Sequence, residues 1–289
     1  MLQKLTYTNS LGAELSIARS APFLIQSFDT TENVNIYSAK GVLQDGTTYL
    51  GNSLDIGDIS IGLILLSDTK ENLIGFRKQV EQAFNPKLGE GYLTYTDEVK
   101  SIKIKCIPSK MPWFENNEDG NWQSCLINLT ANNPYWQDLA QIKAEIASWL
   151  GGFSFPLELV AGGIEMGTRS PSLIVNVSNN GDVECGMTVQ FTAEATLTNP
   201  SILNVTTGEY IKILKTMVAG EVLTITTYFG NKKVTSTLNG VATNAFNFID
   251  LSSTFLQLNV GDNLLKYDAS TNVANLTVVI YYSQQYLGV

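Results

Sequence analysis

From Ser172 to Tyr282 the chain is a succession of short apolar–polar alternations cut by turn dipeptides, and this rhythm limits the fold more than any other feature. Residues 173–177, 183–195, 202–205, 210–214, 222–229, 233–238, 246–249, 255–258, 264–267 and 276–282 read as strands. Asn180-Gly181, Asn199-Pro200, Gly220-Glu221, Gly230-Asn231, Asn239-Gly240 and Gly261-Asp262 separate them. Alternation puts every second side chain on one face, and such close turn spacing leaves no room for crossover helices. The expected outcome is an antiparallel β-sandwich.

Upstream the period changes twice. The first seventy residues read as short strands, among them residues 34–37 and 59–66, with turns at Leu11-Gly12, Asp45-Gly46, Gly51-Asn52 and Ile56-Gly57-Asp58. Asp68 and Glu71 then have capping-box spacing. Leu73, Phe76, Val80 and Phe84 recur at helical intervals until Asn85-Pro86 stops the run, which predicts a helix packed on a sheet by one apolar stripe. Strands resume at residues 91–96 and 100–108, where Ile102, Ile104 and Cys106 alternate with Lys103 and Lys105, giving one buried and one wet, basic face. At Asn133-Pro134 a second helix is expected, with Asn133 as N-cap, Pro134 at its first position and Tyr135, Leu139, Ile142, Ile146 and Trp149 along one side. Gly151-Gly152 would close it ahead of a glycine-rich joint bounded by Pro156 and Pro171. The fold class is therefore mainly β, with a packed helix in the first domain and a linker helix before the second. The divisions fall at residues 1–133, 134–170 and 171–289.

Composition removes whole classes of chemistry. With no histidine, the chain has no imidazole base, no Ser-His-Asp or Cys-His pair and no HExxH zinc site. GxSxG, GxxxxGK[ST] and GxGxxG are all missing. A net charge of -9 without a basic cluster argues against sequence-specific nucleic-acid binding. Residues 61–66, the longest apolar run, fall far short of a bilayer span, and the first residues lack a signal peptide's apolar stretch, so folding in a cytoplasm is expected. Cys106, Cys125 and Cys185 form no CxxC and suit that compartment as buried thiols, with a Cys106–Cys125 bridge as the lesser option. The sequons at Asn128, Asn176, Asn204 and Asn275 follow from composition, since Thr and Asn together outnumber all charged residues.

Three kinds of site were weighed. The carboxylate pairs Asp55/Asp58 and Glu115/Glu118 have the residue types of a glycosidase, but an acidic chain offers many such pairs. Residues 115–121 (Glu-Asn-Asn-Glu-Asp-Gly-Asn) carry oxygen ligands for a cation without EF-hand spacing, so a solvated hairpin tip is preferred. Sugar stacking needs exposed aromatics, yet Trp113, Trp122, Trp136 and Trp149 all precede the second domain. Tyr228, Phe229, Tyr281 and Tyr282 are the remaining candidates, with a core role preferred. No residue is assigned a catalytic, cofactor-binding or metal-ligating role.

The order of motifs resembles the distal tail protein family of long-tailed bacteriophages. In the first part the likeness rests on the helix over residues 73–84, Asn85-Pro86-Lys87, Gly91-Tyr92-Leu93-Thr94-Tyr95 and Asn133-Pro134-Tyr135-Trp136. In the second it rests on Asn180-Gly181-Asp182-Val183-Glu184-Cys185-Gly186, Thr198-Asn199-Pro200-Ser201-Ile202 and Thr206-Thr207-Gly208-Glu209, then Gly220-Glu221-Val222-Leu223, Ser253-Thr254-Phe255 and residues 258–263 (Leu-Asn-Val-Gly-Asp-Asn).

The resemblance implies a non-enzymatic virion protein of the tail tip or baseplate, from a phage or a prophage-derived particle, assembled in the host cytoplasm. Its N-terminal domain, a sandwich plus helix, forms a homohexameric ring. Its C-terminal domain is similar to galectins or carbohydrate-binding modules. Partners are the tail tube, tape measure and tail hub proteins and receptor-binding proteins. No membrane and no cofactor are implied. Residues 100–110 and 115–121 are the expected interface or lumen elements, and Tyr286-Leu287-Gly288-Val289 either return to the first domain or finish the second. The alternative reading is a carbohydrate-binding adhesion module for surface glycans.

Overall fold

A computed structural model describes residues 4–116, 120–146, 149–151, 167–169 and 173–289. The chain divides into two compact units, Met1–Leu139 with Tyr286–Val289, and Ala140–Gln285.

In the first unit one antiparallel sheet runs Glu14–Ile17, Lys4–Thr8, Gly91–Thr96, Ser101–Pro108, Trp122–Ala131, Thr48–Leu66 and Phe23–Ala39. Ser101–Pro108 pairs along its length with Gly91–Thr96, but only Ile107 and Pro108 reach Trp122–Ala131, so the sheet turns a corner there. The alternation read from the sequence holds: Ile102, Ile104 and Cys106 are buried while Lys103 and Lys105 face out. Inside the corner lie Leu5, Ile17, Ile61, Leu63, Leu93 and Ile127, closed over by the helix Lys70–Ala83. Its stripe is the expected one. Val80 and Ala83 are buried, Leu73 and Phe76 pack on the same cluster, and Phe84 stacks on Tyr7 with ring centroids 4.4 Å apart. The cap lies one residue beyond Asp68: Thr69 takes the extended conformation and its hydroxyl accepts from the Asn72 N–H at 3.2 Å.

Three expectations need correction here. The first seventy residues contain not only short strands but two long ones, Phe23–Ala39 and Thr48–Leu66. Gly51-Asn52 and Ile56-Gly57-Asp58 are not turns but lie within the second of these, because a strand absorbs glycine at bulges and close approaches. The linker helix is also absent from its first half: Trp136–Asp138 and Ile142–Glu145 are strands. Ile142 and Ala144 face inward while Lys143 and Glu145 face out, and the backbone bonds run to Leu276–Tyr282. Sheet pairing has outweighed the helical apolar spacing, which period-two alternation fits equally well. Asn133 caps a turn instead, accepting from the Tyr135 N–H at 3.2 Å. Most of the glycine-rich joint lies outside the described residues, apart from a short pairing of Trp149–Gly151 with Gly167–Arg169.

The second unit is a β-sandwich. A six-stranded sheet runs Ile142–Glu145, Leu276–Tyr282, Met187–Ala193, Val222–Thr226, Lys233–Leu238 and Val241–Asn244. A four-stranded sheet runs Ile174–Asn179, Gly261–Asp268, Ser201–Asn204 and Tyr210–Lys212. Between them Val189, Phe191, Ile225, Val278 and Ile280 meet Val177, Ile202, Ile211, Leu265 and Tyr267. The Asn239-Gly240 hairpin is as read, with both residues in the left-handed region, as a two-residue turn requires. Two strand readings fail. Phe246–Phe248 is a 3-10 turn, and residues 255–258 make only an isolated bridge between Leu258 and Cys185.

Candidate functional site

The outstanding surface of the first unit is an arm. Trp122–Ala131 pairs with Thr48–Leu66 only over residues 57–66, so beyond Gly57 the two long strands pair, among the described residues, only with each other. Residues 32–56 form this two-stranded ribbon, with register shifts at Glu32/Val34 and Tyr37/Ser38. An isolated hairpin in water is marginally stable at best. This one also exposes Val34, Ile36, Tyr37, Val42, Leu43, Tyr49, Leu50 and Ile56, with Val42 at 97% and Leu43 at 100% at the tip. Its internal ties are few and polar: Tyr37 to Ser53 between hydroxyls at 3.0 Å, and the Asn35 amide donating to Asp55 at 3.4 Å. Consecutive apolar pairs (Ile36-Tyr37, Tyr49-Leu50) put hydrophobic groups on both faces of a ribbon that has no core of its own. That doubled pattern was the sequence signal for the arm, and the reading by short strands passed over it.

A second apolar patch lies on the outer face of the same sheet. Trp122 stands opposite Leu66, and Trp113 opposite Leu126. All four are exposed, the tryptophans by 59% (Trp113) and 44% (Trp122), while Gln123 and Cys125, between Trp122 and Leu126, face inward. One unit thus carries two different apolar surfaces, which is the feature that marks an interaction site.

The elements expected to be functional fare unevenly. Three of the four lysines of residues 100–110 are engaged within the chain: Lys105 pairs with Glu90 at 2.5 Å, Lys103 donates to the Leu139 carbonyl at 2.6 Å, and Lys100 donates to the Gly288 carbonyl at 3.3 Å. The Lys105 hydrogen bond, helped by the Asn132 amide, holds the Glu90 carboxyl below its ordinary range. Tyr286–Val289 belong to the first unit, where the Tyr286 hydroxyl donates to Asp138 at 3.0 Å. Residues 113–126 make a hairpin whose base is fixed by Glu115 N–H to the Ser124 carbonyl at 3.1 Å. Its tip, including Glu118, lies outside the described residues. Asp55 and Asp58 sit three apart on one strand with a register shift between them, and each has its own partner: Asp55 accepts from the Asn35 amide at 3.4 Å and Asp58 from the Thr130 hydroxyl at 3.2 Å. Among the described residues no group of three or more Cys, Asp or Glu could hold a metal ion, and no helix is long and apolar enough to cross a membrane.

The four aromatic candidates of the second unit do not share one surface: Tyr281, opposite Thr188, and Tyr282 leave their strand by opposite faces. Tyr282 is buried and donates to the Ser178 carbonyl at 2.9 Å, and Tyr228 is half-buried, accepting from the Gln141 amide at 3.4 Å. Phe229 is 73% exposed and lies under Lys232.

Cys106, Cys125 and Cys185 are buried thiols outside any disulfide. Burial pushes the Cys106 and Cys125 thiols up to about 12, which cuts the reactive thiolate by about three orders of magnitude. Iodoacetamide at pH 8 should leave the native chain unlabelled over an hour and modify three thiols after unfolding in urea. Stoichiometric labelling of the native chain would contradict the buried assignment.

Comparison with known proteins agrees with both units. Residues 10–131 match the family model of the phage tail protein RIFT-related domain, and residues 180–286 that of the siphovirus-type tail component, C-terminal domain. Among solved structures, the fold is similar to the Dit (gp 19.1) protein of phage SPP1, described as a paradigm of hub adsorption apparatus in phages infecting Gram-positive bacteria. The TM-score is 0.70 at 12% identity, over 99% of this chain and 100% of that one. It is also similar to chains of the phage P2 baseplate in its activated conformation, with Ca (TM-score 0.55) and with Sr (0.53), both at 12% identity and full coverage of both chains. No curated protein matches the sequence.

Proposed function

We propose, from the premise that this chain belongs to the phage distal tail family, that it is a structural, non-catalytic protein of the virion tail, six copies of which close into a ring at the tail tip. The ring joins the tail tube and tape measure to the tail hub and to receptor-binding proteins, and it assembles in the host cytoplasm before entering the virion.

The observation that carries this reading is the pair of unlike apolar surfaces on the first unit. A closed ring is built from a heterologous contact, in which each copy offers one surface and receives with another. The arm is the offered surface, and the outer-face patch of Leu66, Trp113, Trp122 and Leu126 is the receiver. Tryptophans dominate interface energetics when buried. A Thr- and Asn-rich surface with 16% charged residues leaves few ions to desolvate. The remaining polar backbone of the arm can pair with a neighbouring strand and gain hydrogen bonds without special side chains.

Light scattering after size exclusion, with negative-stain images of the same fractions, tests the proposal. The intact chain should give six-copy annuli whose fraction rises with concentration. A chain that stays monomeric at millimolar concentration, and forms no annulus in purified particles, would remove the ring.

A further inference from the structure

We infer that the outer face of the four-stranded sheet in the second unit is a binding site for a neutral pyranose unit of a saccharide. This site is independent of the ring and draws on none of the aromatics considered from sequence.

Strand register assembles it. Leu203 stands between Tyr210 on one neighbouring strand and Lys266 on the other, and Ser201 stands between Lys212 and Asp268. The alternate residues Ile202, Ile211, Leu265 and Tyr267 are fully buried, so these six side chains share the outer face. Asp250 joins them from a loop, its carboxylate accepting from the Tyr210 hydroxyl at 3.1 Å. Together they line a cleft of about 310 Å³, at the lower end of the size that takes a small ligand.

The chemistry of the lining selects the ligand class. Leu203 and the Tyr210 ring make an apolar floor. Around it stand two ammonium groups that only donate, two carboxylates that only accept, and the Ser201 hydroxyl that does both. No ion pair within 4 Å joins Lys212 or Lys266 to a carboxylate among the described residues. The four charges cancel, so neither a polyanion nor a polycation is favoured. A sugar hydroxyl donates and accepts at once, and a ring bearing several of them can use both kinds of group while its C–H face rests on the floor. Separated donors and acceptors over an apolar base suit that ligand. One sugar unit on an open cleft is expected to bind with a Kd on the order of 1 mM.

Saturation-transfer difference NMR on the full chain, with glucose, galactose, N-acetylglucosamine and N-acetylgalactosamine as probes, tests the site. At least one should show transfer that saturates in the low-millimolar range. Lys266→Met/Asp268→Asn, both on the outer face, should weaken it tenfold or more while the melting temperature stays unchanged. Leu203→Glu, which puts a charge on the floor, should do the same and guards against one variant failing to fold. No transfer from any of the four sugars at 10 mM, or transfer that survives both variants, would overturn the assignment. Glucuronate or inorganic phosphate binding more tightly than the neutral sugars would also overturn it, since the cleft would then be an anion site.

Discussion

Excising residues 34–54 and joining Asn33 to Asp55 through Asn-Gly leaves a chain that folds but no longer closes into rings. Folding survives because no residue of the ribbon belongs to the first unit's core, which is built from Ile59 onward on one strand and up to Phe28 on the other. The replacement also suits the cut, since Asn-Gly closes a two-stranded hairpin in the twist that strands adopt. Ring closure is lost because the arm supplies the apolar area. Each large side chain that becomes fully buried is worth about 1.5–3 kcal/mol. Losing three of the seven exposed ones within the cut therefore removes at least about 4.5 kcal/mol per contact, or roughly three orders of magnitude in affinity. Sedimentation across a concentration series should show the monomer shifted in proportion, with a melting temperature within a few degrees of the parent. Leu43→Asp at the tip and Trp113→Ser on the receiving patch should each give a smaller shift in the same direction. Rings that persist at the parental threshold after excision would show that the arm is not the contact.

How much of this was legible before the structure depends on whether one face of each element is wet. The helix Lys70–Ala83 and the strand Ser101–Pro108 bury one side and hydrate the other, so their periods are visible in the order of Leu73, Phe76 and Val80, or of Ile102, Ile104 and Cys106. The sandwich strands of the second unit behave likewise. The arm escapes because apolar residues occupy both faces of an exposed ribbon, a pattern whose partner is not in the chain's own fold. Residues 133–146 were misread for a different reason. Tyr135, Leu139, Ile142 and Ile146 fit a helical repeat, and only pairings distant in sequence select strands: Trp136–Asp138 with Ser101–Pro108, and Ile142–Glu145 with Leu276–Tyr282. The saccharide cleft is the hardest case: its members come from residues 201–212, 250 and 266–268, each unremarkable locally, and only register makes them neighbours. The second unit also holds a buried ion pair, Lys215 with Glu221, that no sequence motif marks.

Lys215→Met should destabilise that unit by about 3–5 kcal/mol at pH 7, because it strands a buried charge. Glu221 is 2% exposed, at the turn before Val222–Thr226. One of its carboxylate oxygens takes the Lys215 ammonium and the Ser236 hydroxyl, and the other accepts from the Val218 N–H at 3.1 Å. Burial is the largest influence on this carboxyl and would raise its pKa, but the Lys215, Ser236 and Val218 donors together hold it below the ordinary range. In the parent chain the group therefore binds its proton less readily folded than unfolded. It contributes stability above the unfolded pKa and loses it as pH falls through the folded one. Without Lys215, burial prevails and the sign reverses: the folded carboxyl binds its proton more readily than the unfolded one, so acidification from pH 7 toward 5 should recover part of the loss. Adding Glu221→Gln, which removes the charge but keeps the shape, should restore much of the stability and abolish that pH dependence. Urea unfolding followed at several pH values reads all three, and only one of the chain's transitions should move, since each unit has its own core. A loss below about 1 kcal/mol at pH 7 would mean that water reaches Glu221 despite its burial, and a slope of unchanged sign would mean that Ser236 and Val218 hold the carboxylate without the lysine.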